Sequence, residues 1–203
     1  MKRLIIIFFF IFLPNVSKAQ ELFFRTGLNH TTYNFKDQNR NKLQGLIPGI
    51  GLSFQLGAGV PLFQEWGKYE IGFTLDSFNA SGGGSADNFN WNTTYGGIRN
   101  SVGFYPIWGD LTLGIKANLG TSKIINGSQV LNNSNFNISK HPEFSGILIQ
   151  PGLGVSMSYR VLDQGLLSFQ YDYSYSKTLG IKTAETLTFQ NNRILFGVHY
   201  LIH

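Results

Sequence analysis

Apolar residues alternate with small or polar residues along eight stretches of the chain. In the second stretch, every other residue from Ile50 to Leu62 is apolar, and the residues between them are glycine, serine, glutamine and proline. The seventh stretch repeats the pattern from Leu167 to Tyr175, with serine, glutamine and aspartate in the alternate positions. A period of two residues is the period of a β-strand. The pattern therefore predicts eight amphipathic strands.

The gaps between these stretches alternate in length. Short turns are predicted near Phe63–Gly67, Ile107–Asp110 and Leu162–Gly165. Longer polar loops are predicted near Phe35–Leu43, Asn79–Asn92, Ser122–Phe144 and Ser176–Asn191. Alternating short turns and long loops are typical of up-and-down barrels in outer membranes. The fold class is therefore all-β, an eight-stranded antiparallel up-and-down transmembrane β-barrel.

Composition indicates which face of each strand points outward. Only 13% of the residues are charged, and the polar faces consist mostly of glycine, serine, threonine, asparagine and glutamine. A surface that faces water usually carries about 25–35% charged residues. The apolar faces are therefore expected to contact lipid, with the polar faces inside. The alternative is a soluble, lipocalin-like carrier, whose apolar faces would surround a hydrophobic ligand.

The first residues have the features of an export signal. Lys2 and Arg3 precede an apolar run from Leu4 to Leu13, and Ser17-Lys18-Ala19 resembles a cleavage site. The run is too short to cross a membrane as a helix. We therefore expect a cleaved signal peptide at residues 1–19 and a barrel domain at residues 20–203. Without the signal, 13 basic residues face 11 acidic ones, which gives little support to a nucleic-acid partner.

Aromatic residues are frequent near the predicted strand ends, where tryptophan and tyrosine favour the membrane interface. They predict two interfacial belts. One belt lies near the short turns: Phe63, Trp66, Tyr69, Tyr105, Trp108, Tyr159 and Tyr200. The other lies near the long loops: Tyr33, Phe78, Trp91, Tyr95, Tyr173 and Tyr175.

Two segments resemble a known family. Phe24-Arg25-Thr26-Gly27-Leu28-Asn29 is similar to the first strand of small outer-membrane β-barrel proteins of the PorT-like and OmpX-like kind. Residues 192–200 are similar to the closing strand of these proteins. This Bacteroidetes-type barrel domain implies periplasmic termini, long loops outside the cell and a location in the cell outer membrane. The chain departs from the family at Leu201-Ile202-His203, where many members end on an aromatic residue.

Charged residues recur on the predicted inner faces. An eight-stranded barrel is filled by side chains, so these charges are expected to form a paired polar plug rather than an open channel. A gated or proton-responsive pore is the alternative. The predicted plug residues are Arg25, Glu70, Asp76, Arg99, Lys116, Arg160, Asp172 and Arg193.

The fourth strand is the least regular. Ile98, Val102 and Phe104 point outward, but Asn100 shares their face. An amide that faces lipid without a partner is costly. Two explanations are open: the register shifts there through a bulge at Gly96-Gly97, or the fourth strand is assigned to the wrong residues.

The sequence offers weak signals for catalysis. A lipid A-modifying enzyme would need a serine, a histidine base and an acidic residue near the outer leaflet. His30 and Ser77 are the nearest candidates, but they lie on strands that are not neighbours and no nucleophile motif accompanies them. We therefore predict no enzyme activity and no cofactor or metal.

The longest predicted loop is rich in asparagine and favours a binding role instead. Its asparagines are Asn126, Asn132, Asn133, Asn135 and Asn137. The predicted function is structural or surface-binding, through the extracellular loops. Expected partners are outer-membrane lipids and lipopolysaccharide, and an extracellular protein or glycan.

Overall fold

A computed structural model describes residues 21–36, 39, 45–62, 66–82, 89–131, 134–179 and 186–202. The predicted signal peptide, residues 1–19, lies outside these ranges. The elements in chain order are β1 (Glu21–Lys36), β2 (Ile47–Leu62), β3 (Gly67–Gly82), β4 (Phe89–Phe104), β5 (Ile107–Trp108), β6 (Leu111–Leu131), β7 (Ser134–Asn137), the short helix α1 (Pro142–Ser145), β8 (Ile147–Leu162), β9 (Gly165–Leu179) and β10 (Thr186–Leu201).

Eight long strands close into one antiparallel barrel. Their order is β4-β3-β2-β1-β10-β9-β8-β6, and β6 pairs back with β4. The first strand meets the last along its whole length, from Glu21 opposite Leu201 to Lys36 opposite Thr186. The short strands β5 and β7 both pair with β6. Closure of the barrel pairs the backbone N–H and C=O groups that an open sheet edge would leave exposed. The predicted fold, an eight-stranded antiparallel barrel, is confirmed.

The exterior of the barrel is apolar and the interior polar. Leu56, Leu153 and Phe196 are each more than 60% exposed, whereas Asp172 and Arg193 are at most 1% exposed. A soluble carrier would show the reverse distribution. The lipocalin-like alternative is therefore wrong. No helix in the described part of the chain is long and apolar enough to cross a membrane.

The strands extend further than the sequence predicts. β3 continues to Gly82, β4 begins at Phe89, and β6 has 21 residues and turns back through β7. Much of the predicted loops Asn79–Asn92 and Ser122–Phe144 is therefore strand. At about 3.3 Å per residue a 16-residue strand is roughly 53 Å long, which exceeds an apolar band about 25 Å tall even when the strand is tilted. The upper ends of the strands thus leave the membrane while they remain paired.

Asn100 has a partner on the lipid-facing surface. Its Oδ1 accepts a hydrogen bond from the Tyr69 hydroxyl at 2.6 Å. This bond reduces the free-energy cost of placing the Asn100 amide against lipid. The predicted bulge at Gly96-Gly97 is wrong, because both glycines pair regularly with β6. The register shift lies between Thr94 and Tyr95, where Ile125 of β6 is the extra residue.

The aromatic belts are only partly as predicted. Trp66, Trp108, Tyr159 and Tyr200 are exposed near the short turns, the end that faces the periplasm in outer-membrane barrels, and Tyr173 and Tyr175 are exposed nearer the other end. Tyr69 is half-buried, and Phe63 lies outside the described residues. Five predicted belt residues are instead buried inside the barrel because they occupy its inner face: Tyr33, Phe78, Trp91, Tyr95 and Tyr105.

Candidate functional site

The lower lumen is organised around the Glu70 carboxylate. Arg25 donates two hydrogen bonds to it, at 2.9 and 2.6 Å. Ser101 donates at 3.2 Å, and the Lys116 ammonium lies 3.5 Å away. The bidentate guanidinium–carboxylate geometry is the strongest form of such a pair. Glu70 therefore links three strands of the barrel wall, β1, β4 and β6, to its own strand, β3.

Asp172 is the carboxylate of the middle layer. Lys116 and Arg99 each have a nitrogen 4.0 Å from it. Asn118 donates a hydrogen bond at 3.2 Å, and the Gln170 amide donates to the other oxygen. Lys116 thus connects Asp172 to the layer below, and Arg99 connects it to the layer above.

Asp76 is the carboxylate of the upper layer. Arg99 and Arg193 each donate to the same oxygen at 3.1 Å, and Ser53 donates to the other at 2.5 Å. Arg193 also donates to Ser174 at 3.0 Å. The two guanidinium groups reach Asp76 from different strands, β4 and β10.

Together these contacts form one continuous set of alternating charges, which we call the lumen ion network. Glu70, Asp76 and Asp172 each contact at least two cations, so these buried charges are compensated as burial requires. Seven of the eight predicted plug residues belong to it, and Lys68 and Glu21 extend it to the periplasmic end. In contact order the members are Glu21, Lys68, Glu70 with Arg25, Lys116, Asp172, Arg99, Asp76 and Arg193.

Arg160 is not part of the lumen ion network. It is exposed near the end of β8, and its backbone N–H donates to the Asp110 carbonyl at 2.9 Å. The β8–β9 register is irregular between Arg160 and Leu162. Although Arg160 occupies an inward-facing position of its strand, it lies at the periplasmic rim, where a guanidinium can remain in water.

An aromatic plug lies above the lumen ion network. Trp91 packs edge-on against Tyr33 and against Phe144 of α1, with ring centroids 5.6 and 5.5 Å apart. The Arg193 guanidinium lies 5.9 Å from the Phe78 ring and connects the two layers. The members of the aromatic plug are Tyr33, Phe78, Ala80, Trp91, Tyr95, Ile138, Phe144, Leu148, Leu187 and Phe189.

The lumen ion network and the aromatic plug occupy successive levels of the lumen. The interior of an eight-stranded barrel is narrow enough for side chains to fill it. This geometry favours a sealed barrel over the alternative of a gated or proton-responsive pore.

The periplasmic end holds a cluster of polar side chains that the two-residue pattern alone does not predict. His199 Nδ1 lies 2.5 Å from Glu21 Oε1, and its Nε2 lies 2.7 Å from Ser168 Oγ. Lys68 binds the second oxygen of Glu21 at 2.7 Å. The alternation of residues along their strands predicts that Ser168 and His199 face the lumen. Their contact with Glu21 cannot be predicted in this way, because it depends on how the first and last strands pair when the barrel closes.

The outer surface carries a polar groove of about 330 Å³ above the apolar belt. Amide and hydroxyl side chains of β3, β4 and β6 line it, together with Leu28 of β1 and with Ile50 and Leu52 of β2. The polar residues that define this outer polar groove are Ser77, Asn79, Asn92, Thr94, Asn126 and Ser128.

The residues considered for lipid A chemistry do not form a triad in the described part of the chain. His30 is exposed, and the Ser77 hydroxyl contacts Thr94 Oγ1 at 3.5 Å rather than a histidine. The described residues also contain no group of three or more histidines or carboxylates arranged for a metal ion. Of the predicted asparagine-rich loop, Asn126 lies in β6, Asn135 and Asn137 lie in β7, and Asn132 and Asn133 lie outside the described residues.

No protein-family model and no curated protein sequence matches this chain. Among solved structures, it is similar to neisserial surface protein A (14% identity, 89% of this chain and 97% of that chain, TM-score 0.50). Two further similar structures are the outer membrane protein OprG of Pseudomonas aeruginosa (11% identity, 91% and 97%, TM-score 0.48) and the attachment invasion locus protein Ail of Yersinia pestis (9% identity, 90% and 99%, TM-score 0.39). The first similarity shows the fold of a small outer-membrane barrel. The apolar exterior agrees with the predicted location in the cell outer membrane.

Proposed function

We propose that this protein is a sealed outer-membrane barrel that binds carbohydrate, such as the sugars of lipopolysaccharide, through its extracellular end and without catalysis there. The observation that supports this function is the outer polar groove. It lies on the external wall of the barrel, where the strands leave the membrane. The PorT-like and OmpX-like affiliation belongs to the same proposal and rests on the first and last strands.

The height of the groove favours a ligand at the membrane surface. Ser77 is ten residues above Gly67, at the periplasmic start of β3. At about 3.3 Å per residue and a strand tilt of about 40°, this corresponds to roughly 25 Å, the height of the apolar band. The groove is therefore level with the sugars that outer-leaflet lipids carry.

The chemistry of the groove suits a neutral, hydroxyl-rich ligand. Asparagine amides offer both donors and acceptors, and serine and threonine hydroxyls offer both as well. Asn92 and Asn126 are exposed on neighbouring strands β4 and β6. Asn79 instead donates to the Ile50 carbonyl at 2.8 Å, so it supports the wall of the groove.

The test compares two double variants in lipid nanodiscs. Asn92→Ala with Asn126→Ala removes two exposed groove amides, while Ser134→Ala with Asn135→Ala changes two exposed residues of β7 outside the groove. The probe is lipopolysaccharide from the producing cells, with binding measured by isothermal titration calorimetry. Two lost hydrogen bonds of about 1 kcal/mol each predict at least tenfold weaker binding for the groove variant. Equal affinity of the wild type and both variants would contradict the proposal.

A further inference from the structure

A second site, at the opposite end of the barrel, goes beyond the proposed binding function. Ser168, His199 and Glu21 are hydrogen-bonded in series, with Nε2 of the imidazole on the serine and Nδ1 on the carboxylate. All three residues are less than 9% exposed. A histidine held between a serine hydroxyl and a carboxylate is the arrangement that activates serine as a nucleophile.

Three neighbouring strands build this series. His199 of β10 pairs with Phe23 of β1, so Glu21 lies two residues away along β1. Ser168 of β9 pairs with Gly197 and is therefore diagonal to His199. Since residues two apart on a strand share a face, all three side chains point into the lumen.

The series lies next to periplasmic water. Glu21 is the first residue of β1, Ser168 is the fourth of β9, and His199 is two residues before the end of β10. The Lys68 side chain, which binds Glu21, is 20% exposed and marks the boundary with water. A small molecule from the periplasm would meet this layer first.

Ser168 and Arg25 lie on either side of Gly197 along the lumen face. Gly197 has no side chain, and a methyl group there would lie 2.7 Å from Ser168 Oγ and 2.6 Å from Arg25 Cγ. The buried Nε–H of Arg25 has no hydrogen-bond partner within the ranges that the structure describes. Because Arg25 and Ser168 both pair with Gly197, this N–H is a candidate donor to the negative oxygen that forms during acyl transfer.

From this geometry we propose that Ser168, His199 and Glu21 are a nucleophilic site that hydrolyses small carboxylic esters at the periplasmic mouth of the barrel. Ser168 Oγ bonds to the ester carbonyl carbon while its proton moves to His199 Nε2. Glu21 stabilises the resulting imidazolium through Nδ1–H. The carbon–oxygen bond to the alcohol then breaks, and the alcohol leaves with the proton from Nε2. Water attacks the acyl-serine, His199 takes and returns its proton, and the acid and Ser168 are released.

The test uses a fluorophosphonate probe on the purified full-length barrel in detergent micelles. We expect a covalent adduct on Ser168, located by peptide mass spectrometry. Ser168→Ala should lose the adduct, and His199→Gln should slow labelling at least 100-fold, as expected for loss of a general base. Ser156→Ala, a half-buried serine on the inner face of β8, should label like the wild type.

A parallel gel measurement separates chemistry from folding. Each variant is compared boiled and unboiled, and only variants that keep the mobility shift of a closed barrel are scored. A folded wild type without an adduct on Ser168 would overturn the proposal. So would a folded His199→Gln variant that labels as fast as the wild type, since the series would then only join β9, β10 and β1. Hydrolysis of p-nitrophenyl acetate, absent in Ser168→Ala, is the expected second readout.

Discussion

Removal of the Asp76 carboxylate should destabilise the barrel more than any single change at its surface. Asp76 is 1% exposed and accepts hydrogen bonds from Arg99, Arg193 and Ser53. In Asp76→Ala the two guanidinium groups stay buried, because their strands remain in the closed barrel. The cost of the variant is then mainly that of unpaired buried charge.

The contacts that remain set the size of the effect. Arg99 keeps Asp172 at 4.0 Å, so it is partly compensated. Arg193 keeps the neutral Ser174 hydroxyl at 3.0 Å and the Phe78 ring at 5.9 Å, but no carboxylate, since Asp76 is its sole ion-pair partner in the described part of the chain. Removal of one partner of a buried pair costs about 3–5 kcal/mol. The unfolding equilibrium should therefore shift by about two to three and a half orders of magnitude.

The assay is reversible urea unfolding in phosphatidylcholine vesicles, followed by tryptophan fluorescence. Asp76→Asn, which keeps the shape and one acceptor oxygen, should fall between the wild type and Asp76→Ala. Asp163→Ala, in the exposed turn between β8 and β9, serves as control and should change stability by less than about 0.5 kcal/mol. If Asp76→Ala lost less than about 1 kcal/mol of unfolding free energy, the lumen ion network would not stabilise the barrel.

Three further changes probe other layers of the barrel. Tyr69→Phe should cost about 1–3 kcal/mol, because the Asn100 amide loses its partner on the lipid face; adding Asn100→Leu should recover most of the loss in the same urea assay. Gly27→Ala should abolish the heat-dependent gel shift, since its methyl group would lie 1.9 Å from a backbone oxygen of β10, whereas Gly59→Ala meets only flexible side chains and should keep the shift. Phe144→Ala should cost about 3–5 kcal/mol by leaving a cavity in the aromatic plug. The same variant should show no ion conductance in planar bilayers, because the lumen ion network still fills the barrel below; steady conductance would contradict that closure.

Alternation along the chain is enough to predict which residues face the lumen. Arg25, Glu70 and Asp172 occupy inner positions of the two-residue period, and the structure places all three inside. The same period predicts Phe78 inside, because it lies two residues after Asp76. The preference of aromatic residues for strand ends near lipid instead predicts Phe78 in an interfacial belt, but the alternation of side chains along the strand decides which way it points.

The contacts within the lumen depend on register and closure, which the sequence does not provide. Arg193 and Asp76 are 117 residues apart, and His199 and Glu21 are 178 apart. They meet because β1 pairs with β10 in one particular alignment. Arg160 shows a second reason why the alternation is insufficient. It occupies an inward-facing position of its strand, but it lies at the rim of the barrel and is therefore not buried.

The orientation of the barrel is tested most directly by cysteine labelling on whole cells. The chain contains no cysteine, so single substitutions report one position each. Asn92→Cys, in the outer polar groove, should react with a membrane-impermeant maleimide on intact cells. Arg160→Cys, at the periplasmic rim, should react only after the outer membrane is permeabilised, and Phe196→Cys, on the apolar belt, in neither case. Labelling of Arg160→Cys but not Asn92→Cys on intact cells would contradict the account, because the outer polar groove would then face the periplasm.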